Sequence, residues 1–258
     1  MFSSIFSKNK PSISPVLVMD ALGVADRIAA ACEAELVSIA DELDSQYHRF
    51  RLRMPNKVVI AGASKVRGVG EFHSIRMNDM FVMYSPSYIK NAVHKYLVAS
   101  SILYQQMLVS GFIPRGGLGH GPVLRRKDLI LGDGFIDAYR AAEKRGHDFR
   151  DICAVQLTPG AFLNAKNCEH TYRLLCWYKG AFFVNPYTLK DPVLGNFSEE
   201  RILDLLHISG TNKQKLAATE AFLDGFEDYE AAMQPGSESR KNTGWEPSQR
   251  ARPSDQRH

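Results

Sequence analysis

The stretch PVLVMDALGVADRI, residues 15–28, sets an apolar run, Val16 to Met19, against one carboxylate, Asp20, and a glycine three positions later, Gly23. The run predicts a short buried strand over 16–20. A carboxylate at the end of such a strand needs a partner, because an unpaired charge in apolar surroundings is very costly. Beyond Asp20, Ala25, Ile28, Ala29, Cys32, Leu36, Ile39, Ala40 and Leu43 recur at three- and four-residue steps. That spacing predicts one helix from Ala21 to about Arg51, stopped by Pro55-Asn56.

Working outward, HSIRMNDMFVMYSP (73–86) has two apolar-rich runs flanking Asn78-Asp79, the pattern of a β-hairpin with Asp79 at its tip. A helix is predicted from Ser87 to Ser110, closed by Gly111. FIPRGGLGHGPVL (112–124) reads as a strand whose glycines at 116, 117, 119 and 121 mark close backbone approach or a bulge. A helix follows over 132–146, then a strand over 151–159. Two strands turn around Lys179-Gly180, and helices occupy about 198–207 and 211–233. KVVIAGA (57–63) fits either a strand or an apolar loop patch, and VRGVGEF fits a turn. Helices interleaved with hairpin-connected strands predict an α+β fold with a mostly antiparallel sheet flanked by helices.

The chain has 258 residues, 45% of them hydrophobic, which is enough for a substantial core. A net charge of +4 is mild, and part of it lies in the last twenty residues, so direct DNA binding is not expected. No apolar run approaches the ~20 residues that span a bilayer. The first residues lack the layout of a secretory signal. Cys32, Cys153, Cys168 and Cys176 form no C-x-x-C pair and read as reduced thiols of a cytoplasmic protein. The expected organisation is a flexible lead over 1–13, one domain over 14–233, and a disordered tail over 234–258, where Pro, Gly and Ser replace aliphatics.

Asp20 and Asp79 converge if their strands are neighbours. Two close carboxylates repel each other, and a divalent cation relieves that repulsion. Mn²⁺ and Mg²⁺ favour carboxylate oxygens and commonly bridge to substrate phosphates. Leu22 and Gly23, leading into a helix start, offer backbone N–H groups to phosphate. The same residues also suit ordinary roles, an Asp N-cap and an Asp in a hairpin turn.

Three segments, VLVMDALG, SIRMNDMFVMYS and RGGLGHGPVLRRKDLILGDGFIDAYRAAEK, occur in this order. Together they resemble the catalytic domain of class III adenylate and guanylate cyclases. That family carries a strand-end Asp, a hairpin with a second Asp, an R-x-G-x-x-x-G strand and a glycine-led helix of the form A-x-x-x-E. Within it, the chain is most similar to the pyrimidine cyclases of the Pycsar antiphage system. The resemblance implies conversion of UTP or CTP to 3′,5′-cyclic UMP or cyclic CMP by two Mn²⁺ or Mg²⁺ ions, with a separate effector sensing the product. It implies Asp20 and Asp79 as metal ligands, the Ala21 carbonyl completing the shell, and Arg140 as the transition-state arginine. Arg140 stands one residue further from Glu143 than the family spacing. It also implies a homodimer with the active site at the interface, Arg140 coming from the second copy. Ile75 and Leu129 fall where adenylate cyclases carry a base-reading Lys and Asp, so the adenine code is absent. A one-residue slip would bring in Arg76 or Asp128. The alternatives are a purine cyclase with another base code and a non-catalytic nucleotide sensor.

Other residues have two readings each. Tyr47, Phe50 and Tyr84 suit the core or stacking on a base. His120 suits a structural role or a phosphate contact. LRRK (124–127) and RFRLR (49–53) suit solvated basic segments or anion contacts.

Overall fold

The computed structural model describes residues 11–53, 73–77, 79–84, 92–126, 129–166, 171–187 and 194–229. The first ten residues of the expected lead over 1–13, KVVIAGA, VRGVGEF, Ser87, Asn78, Lys127, Asp128, Cys168 and the tail after 233 lie outside those residues, whereas Ser12 and Ile13 of that lead belong to the first strand.

The first strand is longer than its apolar run predicts. β1 spans Ser12–Leu22 and pairs along its whole length with β4, Ile113–Arg126, from Ser12 opposite Val123 to Leu22 opposite Ile113. Its other edge pairs antiparallel with β3, Met80–Tyr84, which forms the expected hairpin with β2, His73–Met77. Asp20 is therefore inside the strand rather than at its end, and Ala21 is a strand residue rather than the first of a helix.

The predicted single helix is two. Gly23, at φ 85°, turns the chain into α1, Val24–Ala30. Ala31 is extended, and α2, Glu33–Arg53, restarts with the Cys32 N–H donating to the Glu35 carboxylate at 2.8 Å. A Glu three positions past an N-cap that reaches back to its backbone is half of a capping box. That local satisfaction holds the break in an otherwise continuous helical pattern. Ile39, Leu43, Gln46 and Phe50 face inward from α2, where Gln46 accepts from Gln106 at 2.8 Å. Gln106 belongs to α3, Ala92–Val109, a helix buried almost all round.

The sheet order is β2-β3-β1-β4-β6-β8-β7-β9, with β5, Leu129–Leu131, folding back onto β4. Its second half comprises β6 (Val155–Leu157), β7 (Leu175–Tyr178), β8 (Ala181–Val184) and β9 (Glu227–Asp228). The β7–β8 hairpin turns on Lys179 (φ 44°) and Gly180 (φ 93°), the consecutive left-handed pair of a tight hairpin turn. Among the described pairings only β4–β6 is parallel, and it is narrow: Gly116, Gly117 and Leu118 face Val155, Gln156 and Leu157.

Three further departures have local causes. The expected strand over 151–159 is cut short because Thr158 caps α5, Pro159–Ala165, with Pro159 in its first turn. α4 is Asp133–Glu143 and stops short of Gly146, with the Lys144 N–H returning to the Arg140 carbonyl at 2.8 Å. α6, Glu199–Ile208, matches its prediction, but α7, Lys213–Gly225, ends eight residues early, because Glu227 and Asp228 pair with β7.

The sheet has apolar packing on both faces. Leu17, Met19, Ala21, Phe81 and Met83 face the larger core with α2 and α3. Val16, Val18, Val82, Tyr84 and Val123 face α4 through Ala138 and Ala142. A strand covered on both sides reads as a continuous apolar run, which is why Val16–Met19 shows no alternation. α4 lies directly on β4. A Cβ at Gly117 or Gly119 would collide with the backbone of Ala138 and Gly134, respectively. The glycines are the groove in which the helix sits.

Candidate functional site

Side chains alternate along a strand, so Asp20 shares the α4 face with Val16 and Val18. Arg115 sits directly opposite it on β4. The Arg115 Nη2 lies 3.3 Å from the Asp20 Oδ2 and donates at 2.7 Å to the Glu143 Oε2, at the last residue of α4. All three side chains are largely withdrawn from water, Asp20 being 13% and Arg115 11% exposed. The Asp20 carboxylate, inside β1, is thus paired with an arginine ninety-five positions away.

Asp79 occupies the β2–β3 turn beside Asp20. Its carbonyl accepts from the Ala21 N–H at 3.2 Å. The C=O of a strand residue leaves on the same edge as its N–H, so the Ala21 carbonyl also faces this turn. Burial pushes Asp20 up to about 7, reinforced by the neighbouring Glu143 and Asp79 charges and opposed by Arg115. Asp79 is also raised, by burial first and by Glu143 to a lesser degree. Three carboxylates and one guanidinium leave the cluster with surplus negative charge when all are ionised.

Two hard oxygen donors in mutual repulsion suit a hard divalent cation. Among the described residues, no group of three or more His, Cys, Asp and Glu side chains is arranged to hold a metal. A cation held by Asp20 and Asp79 would therefore depend on further oxygens from backbone, water or substrate.

Arg140 lies on the exposed side of α4, away from the inward-facing Ala138 and Ala142, and is not drawn into this cluster. Leu22 and Gly23 sit at the strand-to-helix junction two and three residues past Asp20. Ile75 packs on the α4 face with the cluster that includes Val82 and Ala138. Its neighbour Arg76 points to the opposite face and pairs with Asp44 at 2.6 Å. Arg76, the residue that a one-residue slip against the family pattern would bring in, is thus engaged on the other face of β2. Leu129 is exposed on β5.

Phe50 and Tyr84 are core residues, and Tyr47 bonds the Ser74 hydroxyl at 2.6 Å and stacks near Phe81. His120 lies 3.1 Å from the Asn164 amide. Cys153 and Cys176 are buried free thiols, and Cys32 is exposed.

Sequence reading missed Arg115, Glu143 and Arg145. Arg145 is buried and, among the described residues, has no carboxylate bonded to it. Its guanidinium donates to four carbonyls: Ala141 at 2.7 Å, Ile152 at 2.8 Å, Gly116 at 2.5 Å and Ala154 at 2.6 Å. Burial lowers it to about 9, which leaves it charged at neutral pH. The only sequence signal was an arginine directly after an amphipathic helix, which does not distinguish a buried clamp from a solvated end.

No protein-family model and no curated protein matches the chain. Among solved structures, it is similar to the crystal structure of the adenylyl cyclase CyaB from P. aeruginosa, at a TM-score of 0.43 and 14% identity. That similarity covers 71% of this chain and 96% of the other. At that level the fold rests on the strand order and register given above. No helix among the described residues is long and apolar enough to cross a membrane.

Proposed function

We propose that the chain is a nucleotidyl cyclase that converts a pyrimidine nucleoside triphosphate, UTP ahead of CTP, to its 3′,5′-cyclic monophosphate and pyrophosphate. The observation that supports this reading is the placing of Asp79, in the β2–β3 turn, beside Asp20 of β1, in an order of motifs that resembles class III cyclases. Asp20 and Asp79 would hold two Mn²⁺ or Mg²⁺ ions, with the Ala21 carbonyl beside them. Ions bound there would lower the pKa of the ribose 3′-hydroxyl and offset charge on the leaving pyrophosphate.

The chain's own groups position and neutralise. Gly23, in the turn after β1, would offer its backbone N–H to the phosphates, whereas Leu22, whose N–H leaves on the β4 edge opposite Ile113, serves that role less well than the sequence suggests. Arg140, exposed on α4, reaches the transferring phosphoryl of a second copy in a homodimer whose active sites lie at the interface. Protein groups in phosphoryl transfer act mainly through such placement and charge. The apolar environment of Ile75 and the engagement of Arg76 with Asp44 favour a base site without the purine-reading lysine. A polar pocket discriminates through the donors it provides, and missing donors cost heavily in specificity. The cyclic product would signal to a separate effector in bacterial antiphage defence.

The test is incubation of the purified protein with each of the four NTPs and Mn²⁺, with mass detection of product. Cyclic UMP or cyclic CMP is expected, and its loss in Asp79→Asn. A product from ATP or GTP alone establishes the purine alternative. Nucleotide binding without turnover establishes the sensor alternative.

A further inference from the structure

Arg115 touches two carboxylates through one atom. Its Nη2 is 2.7 Å from Glu143 Oε2 and 3.3 Å from Asp20 Oδ2. Meanwhile Arg115 Nε and Glu143 Oε1 are both buried with no hydrogen-bond partner among the described residues. An arginine and a carboxylate normally pair as a fork, two parallel N–H···O bonds. Here the fork is half made, and the two atoms that would complete it are the two left without partners. The ionic pull of Asp20 on the same nitrogen holds the guanidinium between its partners.

We propose that Glu143 is a positioning residue that draws Arg115 off Asp20 when a divalent cation binds. This rests on the reading that Asp20 and Asp79 hold such a cation. A cation at Asp20 cancels that carboxylate's attraction for Arg115. The guanidinium then closes its fork on Glu143, pairing Nε with Oε1, and both orphaned atoms are satisfied. Without the Glu143 charge, Asp20 is the remaining carboxylate of the pair, and the incoming cation competes with a guanidinium that has nowhere to go. Glu143 thus acts on the cation site through Arg115.

The experiment titrates the full chain with Mn²⁺ alone and reads free Mn²⁺ by electron paramagnetic resonance, with no nucleotide and no turnover. The wild type binds, and Asp20→Asn and Asp79→Asn lose binding. Glu143→Gln weakens binding about tenfold or more, whereas Arg115→Met tightens it. In the Arg115→Met background, Glu143→Gln changes affinity by less than about threefold, because the residue it acts through is gone. Circular dichroism checks folding, and Arg115→Gln replaces Arg115→Met if the latter does not fold. Equal weakening by Glu143→Gln in both backgrounds, or no weakening in either, overturns the positioning role while leaving the cation site intact. Absence of Mn²⁺ binding by the wild type overturns the cation site itself and this inference with it.

Discussion

Replacing Gly119 by alanine puts a methyl group where α4 already lies. The added Cβ would stand 2.8 Å from the Ala138 nitrogen and 3.1 Å from the Ala138 Cβ, and closer still to the Gly134 carbonyl. At Gly117 the same change meets the Ala142 nitrogen at 2.7 Å and the Ala141 carbonyl carbon at 2.8 Å. These are mostly backbone atoms of a helix, so no rotamer change relieves the overlap. Restoring ordinary contact requires α4 to lift by roughly 1 Å, forfeiting much of the dispersion contact along its length. Overpacking a core costs about 1–3 kcal/mol where side chains can yield, so about 3 kcal/mol or more is expected for each variant. Gly146 is the control, with φ −56° and open space around its Cβ position. Alanine there should be neutral or stabilising by about 0.5 kcal/mol, through the unfolded chain. Urea denaturation of the three variants measures the difference. The groove reasoning is refuted if Gly119→Ala lies within about 1 kcal/mol of wild type, or if Gly146→Ala loses as much.

Asp20 sets a pH dependence in metal-free buffer. Its folded pKa, about 7, lies above its ordinary 3.8, so the stability it contributes is fully present below 3.8 and is lost as pH rises through 7. The full effect is about 4 kcal/mol, and Asp20→Asn should flatten this part of the curve and melt higher than wild type above pH 7. Parallel melting curves for the two proteins between pH 4 and 8 would falsify the assignment. Arg145→Met removes the guanidinium from four carbonyls, of which Ile152 and Ala154 each keep a backbone N–H, and should cost about 2–4 kcal/mol by urea unfolding, with Arg145→Lys recovering part of it. An unchanged midpoint in Arg145→Met contradicts the clamp. Iodoacetamide mapping should label Cys32 in the native protein and reach Cys153 and Cys176, whose thiols burial pushes up, only after denaturation. Early labelling of either buried thiol contradicts the packing.

What the sequence made legible was whatever a short window encodes. Asn78-Asp79 and Lys179-Gly180 both announce tight turns, and hairpins form at both places. Strand signals placed Asp20 and Asp79 in or beside strands, but that β1 and β3 are neighbours, the condition for the two to converge, was not in the sequence. The break at Ala31-Cys32 was also local, but its signal was one glutamate, Glu35, easily absorbed into the helical repeat around it. Thr158-Pro159 carried a helix start that the preceding apolar run obscured. The partner of Asp20 was a different kind of problem. Arg115 becomes its neighbour through the β1–β4 register, and Glu143 through the docking of α4. No window contains both ends of such a pair, so the sequence showed the need for a counter-charge without naming it.

The buried guanidinium of Arg145 sits where the two halves of the sheet meet through three residue pairs. A seam that short would ordinarily open in local fluctuations. Here, parting the strands would also take the guanidinium from two of its four carbonyl acceptors, which raises the cost of opening. Partial opening is therefore suppressed, and the slowest amide protons on both sides of the seam should exchange together, as one cooperative unit rather than two.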